Sequence, residues 1–332
     1  IGARARIVSK DLRKAVRDRV PEVRSAALIA LGQIPDLDWD PIPLFVKGLK
    51  DRNVATRRAS VLALAEASVG AEAVTGLSGA LDDGDAAVRR AASKALGSIG
   101  EEAAAAVPRL LALLDDGDES VRAAAVEAFG RLGDAAEPAI FRLVCLAEST
   151  SDETLKTQAF ASLAQIARGD VDTICMLETS LRREKSDALR LSATQALVAV
   201  VRDPLYLTTI LTVRAADSNS DVRRVAVEGL GEIGREAQEA LPVLFRMLDD
   251  RYQRAMAFRA LSKIEPRDVT LLTKALNHRE RFVRSFASEQ LGRLRSRARS
   301  ALPKLRDLAE SDDDRRVREN ARRAVRRIEG RR

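Results

Sequence analysis

Histidine, cysteine and aromatic residues are scarce in this 332-residue chain. It holds one histidine, two cysteines and 3% aromatic residues. Two cysteines are too few for a disulfide framework, and no cluster of Cys and His has the spacing of a zinc site. We therefore expect neither a metal nor a cofactor. Cys145 and Cys175 fall in predicted helices, which favours small buried side chains over a redox role.

Signatures of catalysis and of membrane insertion are also missing. The sequence contains no Gly-rich phosphate-binding loop. His278 stands beside Arg279 and Glu280 with no partner nearby for a nucleophile–base pair, so we interpret it as a surface turn residue. No apolar run approaches the length of a membrane-spanning helix. We interpret the start at Ile1, rather than Met, as that of a trimmed or mature segment, assign no catalytic residue and favour a cytoplasmic location.

The sequence does contain a unit of about 33 residues that recurs from end to end. In the copy at 82–100, Val88 is followed by Ala92, Leu96 and Ile99, and these offsets of 4, 8 and 11 trace one stripe of an α-helix. Stacked units of this length predict a single solenoid over 1–332. The template fits at ten anchors: Val23, Thr56, Val88, Val121, Leu155, Leu189, Val222, Gln253, Val283 and Val317.

Each unit is predicted to contain two helices, A and then B, with helix B beginning near the anchor. Offset 4 is alanine in nine units and Ser60 in the other, which requires close helix–helix approach. Offset 8 is large and apolar throughout and is expected to form the core. Gln253 places a polar residue in a core column, so we expect an irregularity there. Helix B is predicted to end at Gly100, Gly133 and Gly234, and helix A to start or kink at Pro43, Pro108, Pro242 and Pro303.

The pattern D-x-D-x-x-V-R-x-A-A-x-x-A-L-G-x-I-G at 83–100 resembles HEAT-like repeats, in particular the short repeats of the phycobilisome-lyase type. The resemblance extends over essentially the whole chain. It implies an all-α fold, a right-handed α-solenoid of about ten two-helix repeats, with A helices outside and B helices lining a concave groove. HEAT-like proteins include scaffolds, transport factors and enzymes, so the resemblance leaves the function open.

Two enzyme classes with HEAT-like folds find little support in these residues. HEAT-like hydroxylases use repeated His-Glu pairs as iron ligands, and this chain has no His-Glu dipeptide. HEAT-like DNA glycosylases use an aromatic cluster with an acid, whereas Trp39 is the only tryptophan here. We interpret Trp39 as a loop residue packed over the first unit.

A basic residue follows the anchor in all ten units, and acidic residues recur five or three positions before it. An aspartate there caps the N-terminus of helix B. We expect the basic side chains to bridge to acids of the same or the next unit and to form a ladder along the solenoid. Because an acid recurs together with the basic residue along the repeats, this interpretation is favoured over a continuous polyanion-binding surface formed by the ten basic residues.

Charge is unevenly distributed along the chain. Residues 101–250 have a net charge of −10, whereas residues 251–332 have a net charge of +13. The basic C-terminal third is a candidate polyanion-binding surface. Phe282 and Phe286 are expected to be largely core, so stacking platforms for single strands are missing. The polyanion candidates are Arg293, Arg295, Arg297, Arg299, Arg322, Arg323, Arg326 and Arg327, of which the last four are also predicted to form the solvated face of the terminal repeat.

The leading hypothesis is a non-enzymatic protein–protein interaction scaffold that binds another protein or a peptide segment in the groove lined by helix B. The alternatives are weak binding of nucleic acid or an anionic surface through the basic third, and a lyase- or glycosylase-type HEAT-like enzyme, for which no residue argues. The groove candidates at offsets 2, 6 and 10 are Arg58, Arg90, Glu127, Arg131, Arg224, Glu228 and Glu232.

Overall fold

The computed structural model describes residues 2–34, 37, 39–67 and 71–330, and these residues contain α-helices and 3₁₀-helices but no strand. The α-helices are α1 (Gly2–Ala15), α2 (Pro21–Gly32), α3 (Ile42–Gly48), α4 (Val54–Glu66), α5 (Ala71–Ala80), α6 (Ala86–Ile99), α7 (Val107–Ala112), α8 (Glu119–Leu132), α9 (Ile140–Ser149), α10 (Glu153–Ile166), α11 (Val171–Arg183), α12 (Asp187–Val200), α13 (Pro204–Arg214), α14 (Ser220–Ile233), α15 (Leu241–Met247), α16 (Arg254–Ile264), α17 (Val269–Ala275), α18 (Arg281–Leu294), α19 (Leu302–Ser311) and α20 (Arg315–Glu329). The 3₁₀-helices are Gly100–Ala106, Leu113–Asp115, Gly133–Ala139, Gly234–Ala240 and Arg295–Ala301.

The helices of the described part form ten consecutive pairs, which we number as repeats 1–10. Helix A of each repeat has an odd number and helix B an even number. The contacts divide the chain into two compact units, Ile1–Val200 with repeats 1–6 and Val201–Arg332 with repeats 7–10. Within each unit, a B helix packs beside the B helix of the next repeat, as α6 does with α8 and α18 with α20. The all-α repeat architecture is therefore confirmed, and the single solenoid over 1–332 stays a prediction.

The repeat columns form the core of both units. All ten residues at offset 4, from Ala27 to Ala321, are buried. At offset 8 the first nine side chains are buried, and Val325 of the last repeat is half-buried. Small residues allow the B helices to approach: a Cβ added at Gly97 of α6 would lie 2.9 Å from the Cα of Ala128 in α8. The periodicity thus correctly identified the residues that hold neighbouring repeats together.

Proline and glycine mark the helix boundaries that the sequence predicted. The four equivalent prolines lie at the first or second position of α3, α7, α15 and α19, where a missing N–H costs no hydrogen bond. Gly100, Gly133 and Gly234 follow the last residues of α6, α8 and α14 with φ of 77°, 59° and 70°. A positive φ is accessible to glycine at little cost, so each B helix can turn directly into the following 3₁₀-helix.

Two further expectations are confirmed and one is wrong. The anchor Gln253 precedes α16, which begins at Arg254, and its side chain makes no capping hydrogen bond; α6, in contrast, begins two residues before its anchor. The half-buried Trp39 lies under the guanidinium of Arg13 in α1, 4.8 Å from the ring centre. The expectation of two buried cysteines is wrong, because Cys145 is half-buried and Cys175 exposed. Cys175 lies off the buried stripe of α11, which consists of Thr173, Met176, Leu177 and Leu181.

Candidate functional site

The arginine after the anchor joins one repeat to the next. Arg89 donates from Nε and Nη2 to the two carboxylate oxygens of Asp116, both at 2.8 Å, and from Nη1 to the Asp83 carbonyl of its own repeat at 2.8 Å. Such a bidentate pair fixes the relative position of two turns. We call the series the arginine ladder, and it has the same bidentate form at Arg24–Asp51, Arg57–Asp83 and Arg284–Asp312.

The ladder is not the same in every repeat. Lys156 pairs with Glu184 at 2.9 Å, and Arg254 pairs with Glu280 at 2.7 Å. Arg122 is half-buried and donates only to carbonyls of its own turn, at 2.7 and 3.4 Å. In the next repeat Thr150 stands where other repeats carry the acid, and no carboxylate within the described part pairs with Arg122.

The aspartates of the ladder are held in their charged form. Hydrogen bonding from Arg89 lowers the pKa of Asp116, and hydrogen bonding from Arg284 lowers the pKa of Asp312, in both cases against an opposing effect of burial. Their side chains are only 8% and 3% exposed. The guanidinium groups of these pairs are engaged inside the protein, so the ladder supports the fold rather than a ligand.

His278 takes the place of an aspartate in this framework. Its Nδ1 accepts a hydrogen bond from the Glu280 N–H at 3.0 Å, as Asp312 Oδ1 does from the Asp314 N–H. The imidazole is 10% exposed, with Nε2 3.3 Å from Asp249 Oδ1, and burial lowers its pKa. The expectation of a surface residue is therefore wrong, because the turn before helix B needs an internal acceptor.

The groove candidates of repeats 2–4 divide into neutralised and free charges. Glu127 and Arg131 pair with each other along α8 at 2.7 Å, and Arg131 is exposed. Arg58 is exposed and Arg90 half-buried, and neither has an ion pair with any described residue. The exposed stripe of these repeats also carries an apolar side chain, Leu62, which is 44% exposed.

The groove candidates of repeat 7 are all engaged. Arg224 lies 3.1 Å from Asp221 and 3.6 Å from Glu228, both on its own helix. Glu232 accepts a hydrogen bond from Lys263 of the next repeat. All three candidates are exposed, so they present paired charges to solvent.

Three phenylalanines cluster on the B helices of repeats 8 and 9. The ring centres of Phe282 and Phe286 in α18 each lie 5.2 Å from that of Phe258 in α16, edge to face. Phe286 is 8% exposed, but Phe282 is 37% exposed, so the expectation that both belong to the core holds only for Phe286. The backbones of α16 and α18 approach less closely than those of α18 and α20, and the rings occupy the wider gap.

This cluster forms the floor of an open groove of about 840 Å³ between α16, α18 and α20, which we call the aromatic groove. Its rim carries four arginines and three acids. Arg281 pairs with Asp314 at 3.0 Å and Arg315 with Glu319 at 2.8 Å. Arg316 has no ion pair with a described residue, so the rim retains a positive charge. The other rim residues are Arg323, Glu289 and Asn320.

The sequence carried a signal for this groove that the repeat analysis missed. Phe282 occupies the position before the anchor, where repeats 2–4 have Ala55, Ala87 and Ser120. Phe286 occupies offset 3, where repeats 1–4 have alanine. Large aromatic side chains at two positions that are small in these early repeats indicate a surface that departs from them.

A second open cavity, of about 870 Å³, lies at the end of α18 and α20. We call it the arginine cavity. Four of the predicted polyanion ligands do not line this cavity, namely Arg297, Arg322, Arg323 and Arg326. The last three are exposed on α20, as expected for a terminal face. The cavity is lined by Gly292, Arg293, Arg295, Ser296, Arg299, Arg327, Ile328, Glu329 and Gly330.

The comparisons with known proteins agree on the repeat. The family model for HEAT repeats matches residues 42–107, 107–198, 208–270 and 249–326. No curated protein sequence matches the chain. Within the described residues, no group of three metal-binding side chains comes together, and no helix combines the length and apolarity needed to cross a membrane.

Two solved structures share the fold, and a third is less similar. A chain from the structure of Kap95p with RanGDP is 15% identical, with a TM-score of 0.57, covering 97% of this chain and 50% of that one. Importin beta is 18% identical, with a TM-score of 0.58 and coverages of 96% and 52%. The present chain thus spans about half the length of these relatives. The CpcE–CpcF complex of phycocyanin lyase from Nostoc sp. PCC7120 is 24% identical, with a TM-score of 0.42, covering 70% of this chain and 98% of that one.

Proposed function

Because the chain belongs to the HEAT-repeat family, we propose that it is a non-enzymatic scaffold that binds a segment of a partner protein on the exposed face of its B helices. Among the relatives, Kap95p binds RanGDP. No observation among the described residues favours the lyase- or glycosylase-type alternative.

The aromatic groove is the observation that carries this proposal. Phe282 leaves more than a third of its surface in water, although aromatic burial is among the largest sources of binding free energy at protein interfaces. The ring of Phe282 packs against Phe258, which itself packs against Phe286, so it is held in place before a partner arrives. A preorganised aromatic surface loses little conformational entropy on binding.

The rim indicates which kind of segment fits. An apolar or aromatic side chain of the partner fills the open space above the three rings. The rim carries one more positive than negative charge, and Arg316 is not paired with any acid that the structure describes. We therefore propose a segment with an apolar anchor flanked by acidic residues, because the flanking charges complement the rim.

The sequence-predicted groove residues remain part of the proposal as secondary contacts. Arg58 and Arg90 are the members without an ion pair in the described part. Arg224 is held by Asp221 and Glu228, so its guanidinium is available only after those contacts break. Charge reversal at Arg90 and at Arg224 distinguishes an unpaired arginine from a paired one. We expect Arg90→Glu to weaken partner binding more than Arg224→Glu does.

A random-peptide display library tests the principal contact. The purified protein is expected to enrich peptides that combine an aromatic or large aliphatic residue with acidic neighbours. Phe282→Ser is expected to lose this enrichment. Phe141→Ser is the matched control, because Phe141 is a 69% exposed phenylalanine of repeat 5. Enrichment of the same peptides by the Phe282→Ser protein would overturn the proposal.

A further inference from the structure

The arginines of the arginine cavity differ from those of the ladder in having no internal partner. The guanidinium groups of Arg295, Arg299 and Arg327 make no hydrogen bond or ion pair with any described residue, and all three residues are exposed. The acid that lines the cavity, Glu329, already accepts a hydrogen bond from Arg306 at 2.6 Å. Three arginines of one concave surface therefore have no acid paired with them among the described residues.

Arg293, the fourth arginine of the lining, is differently placed. It donates to Glu289 at 2.9 Å and lies 3.6 Å from Glu265. Neither Glu289 nor Glu265 lines the cavity, so these contacts add no acid to its surface. The ligand-facing charge therefore comes from Arg295, Arg299 and Arg327.

The backbone at Arg295 gives an independent observation at the same place. Arg295 has φ 50° and ψ −132°, in the position where repeats 3, 4 and 7 carry Gly100, Gly133 and Gly234 with positive φ. A side chain in this region of backbone space is strained, and such strain concentrates at binding sites. No hydrogen bond or ion pair from the Arg295 side chain to a described residue offsets this strain. A long cationic side chain thus replaces glycine at the mouth of a cavity.

We propose that the arginine cavity binds a compact soluble anion that carries at least two neighbouring phosphate groups. A guanidinium group presents a planar fork of donors that matches two phosphate oxygens, and three such groups exceed what one phosphate needs. The volume of about 870 Å³ is that of a small-molecule site. No aromatic side chain lines the cavity, so recognition falls on the phosphate oxygens and not on a base or ring. The proposal uses residues outside the aromatic groove, so each can fail without the other.

Matched double substitutions test this site by calorimetric titration with sodium tripolyphosphate. Arg299→Ala/Arg327→Ala removes two cavity arginines. Arg297→Ala/Arg326→Ala removes the same charge from neighbouring positions that do not line the cavity. We expect the wild type and the second variant to bind alike, and the first variant to bind about a hundredfold more weakly, since each of its two lost charge-assisted contacts is worth roughly tenfold.

Additional ligands distinguish the sources of the phosphate groups. ATP is expected to bind no more tightly than tripolyphosphate, because the cavity offers no surface for the base. Inorganic phosphate is expected to bind more weakly than either. The proposal is overturned if the wild type does not bind tripolyphosphate, or if the two double substitutions weaken tripolyphosphate binding equally. It is also overturned if duplex DNA binds the wild type and is weakened by the two double substitutions in the same way as tripolyphosphate. Circular dichroism of each variant establishes that it is folded.

Discussion

Arg284 donates from Nε and Nη2 to the two carboxylate oxygens of Asp312, at 2.7 and 2.9 Å, although the two residues belong to successive repeats. The same guanidinium donates from Nη1 to the His278 carbonyl at 2.9 Å. One side chain therefore joins the turn of its own repeat to the turn of the next. Asp312 is 3% exposed, so its charge depends on this contact.

Substitution of Arg284 by glutamine should lower the free energy of unfolding by about 1–3 kcal/mol, because Asp312 would keep a buried charge without its partner. Urea unfolding measures the change. Arg297→Gln is the control, since Arg297 is exposed and its side chain pairs with no residue in the described part of the chain, and its effect should stay within about 0.5 kcal/mol. Equal effects of the two substitutions would contradict the structural role of the ladder.

The ladder should also make stability depend on acid. The pKa values of Asp116 and Asp312 are lowered in the folded protein by hydrogen bonds from Arg89 and Arg284. Above the ordinary carboxyl value of about 3.9, both states are ionised and the stabilisation is complete. As the pH falls below that value, the unfolded chain binds protons first, and the stabilisation is lost through the depressed folded pKa.

Thermal unfolding followed from neutral pH downwards checks this dependence. The difference in midpoint between the wild type and Asp312→Asn should be constant at neutral pH and should shrink as the pH falls below about 4. A difference that grows on acidification would show that the pKa of Asp312 is not depressed.

Arg122 has no acid at the equivalent position of the next repeat, so adding one there should raise stability rather than lower it. Thr150 has φ −75° and ψ 137°, close to Asp312 with φ −63° and ψ 137°. Thr150→Asp should therefore place a carboxylate toward Arg122 without a backbone change and raise the free energy of unfolding by about 1 kcal/mol, the scale of a partly exposed charge pair. The same substitution in an Arg122→Gln background should give no gain, and a gain there would rule out the pairing.

The core column makes a prediction about packing alone. Leu230 is 0% exposed at offset 8 of repeat 7, so Leu230→Ala should cost about 2–5 kcal/mol through the cavity it leaves. Leu62→Ala is the matched control, because Leu62 is 44% exposed at offset 6 and should change stability little. A thermal shift near zero for Leu230→Ala would mean that offset 8 is not the core column.

Arg295, a proposed ligand residue of the arginine cavity, should lower the stability of the folded protein. Arg295→Gly removes the side chain from a position with φ 50°. The substitution should raise the free energy of unfolding by about 1 kcal/mol, because the backbone strain that it relieves outweighs the conformational entropy that glycine adds to the unfolded chain. Arg297→Gly, in the same 3₁₀-helix but without a positive φ, should instead destabilise by about 0.5–1 kcal/mol. Differential scanning calorimetry distinguishes them, and a loss of stability in Arg295→Gly would show that its backbone is not strained.

The fold was predictable from the sequence because its contacts repeat with its spacing. Alanine at offset 4 recurs for one geometric reason, the approach of neighbouring B helices, so the column indicated the packing. His278 was misassigned because a ring nitrogen can replace a carboxylate oxygen as acceptor, and residue type alone hides that equivalence. The repeat alignment did indicate this role, because the position of His278, five residues before the anchor, is filled by Asp83, Asp116 and Asp312 in other repeats.

The candidate sites were less predictable because they arise where the repeat is broken in three dimensions. The exposure of Phe282 depends on the wider gap between α16 and α18, which no helical periodicity reports. The arginine cavity brings Arg295 and Arg299 together with Arg327, which belongs to the next repeat. The basic run was visible in the sequence, but which of its arginines converge was not.

Hydrogen exchange measured with and without a peptide selected by the display experiment tests the proposed scaffold function most directly. The account predicts slower amide exchange in two segments that border the aromatic groove, 281–290 of α18 and 315–323 of α20, and unchanged exchange in α9, which carries the control residue Phe141. Protection confined to other repeats, or the same protection in the Phe282→Ser protein, would contradict it.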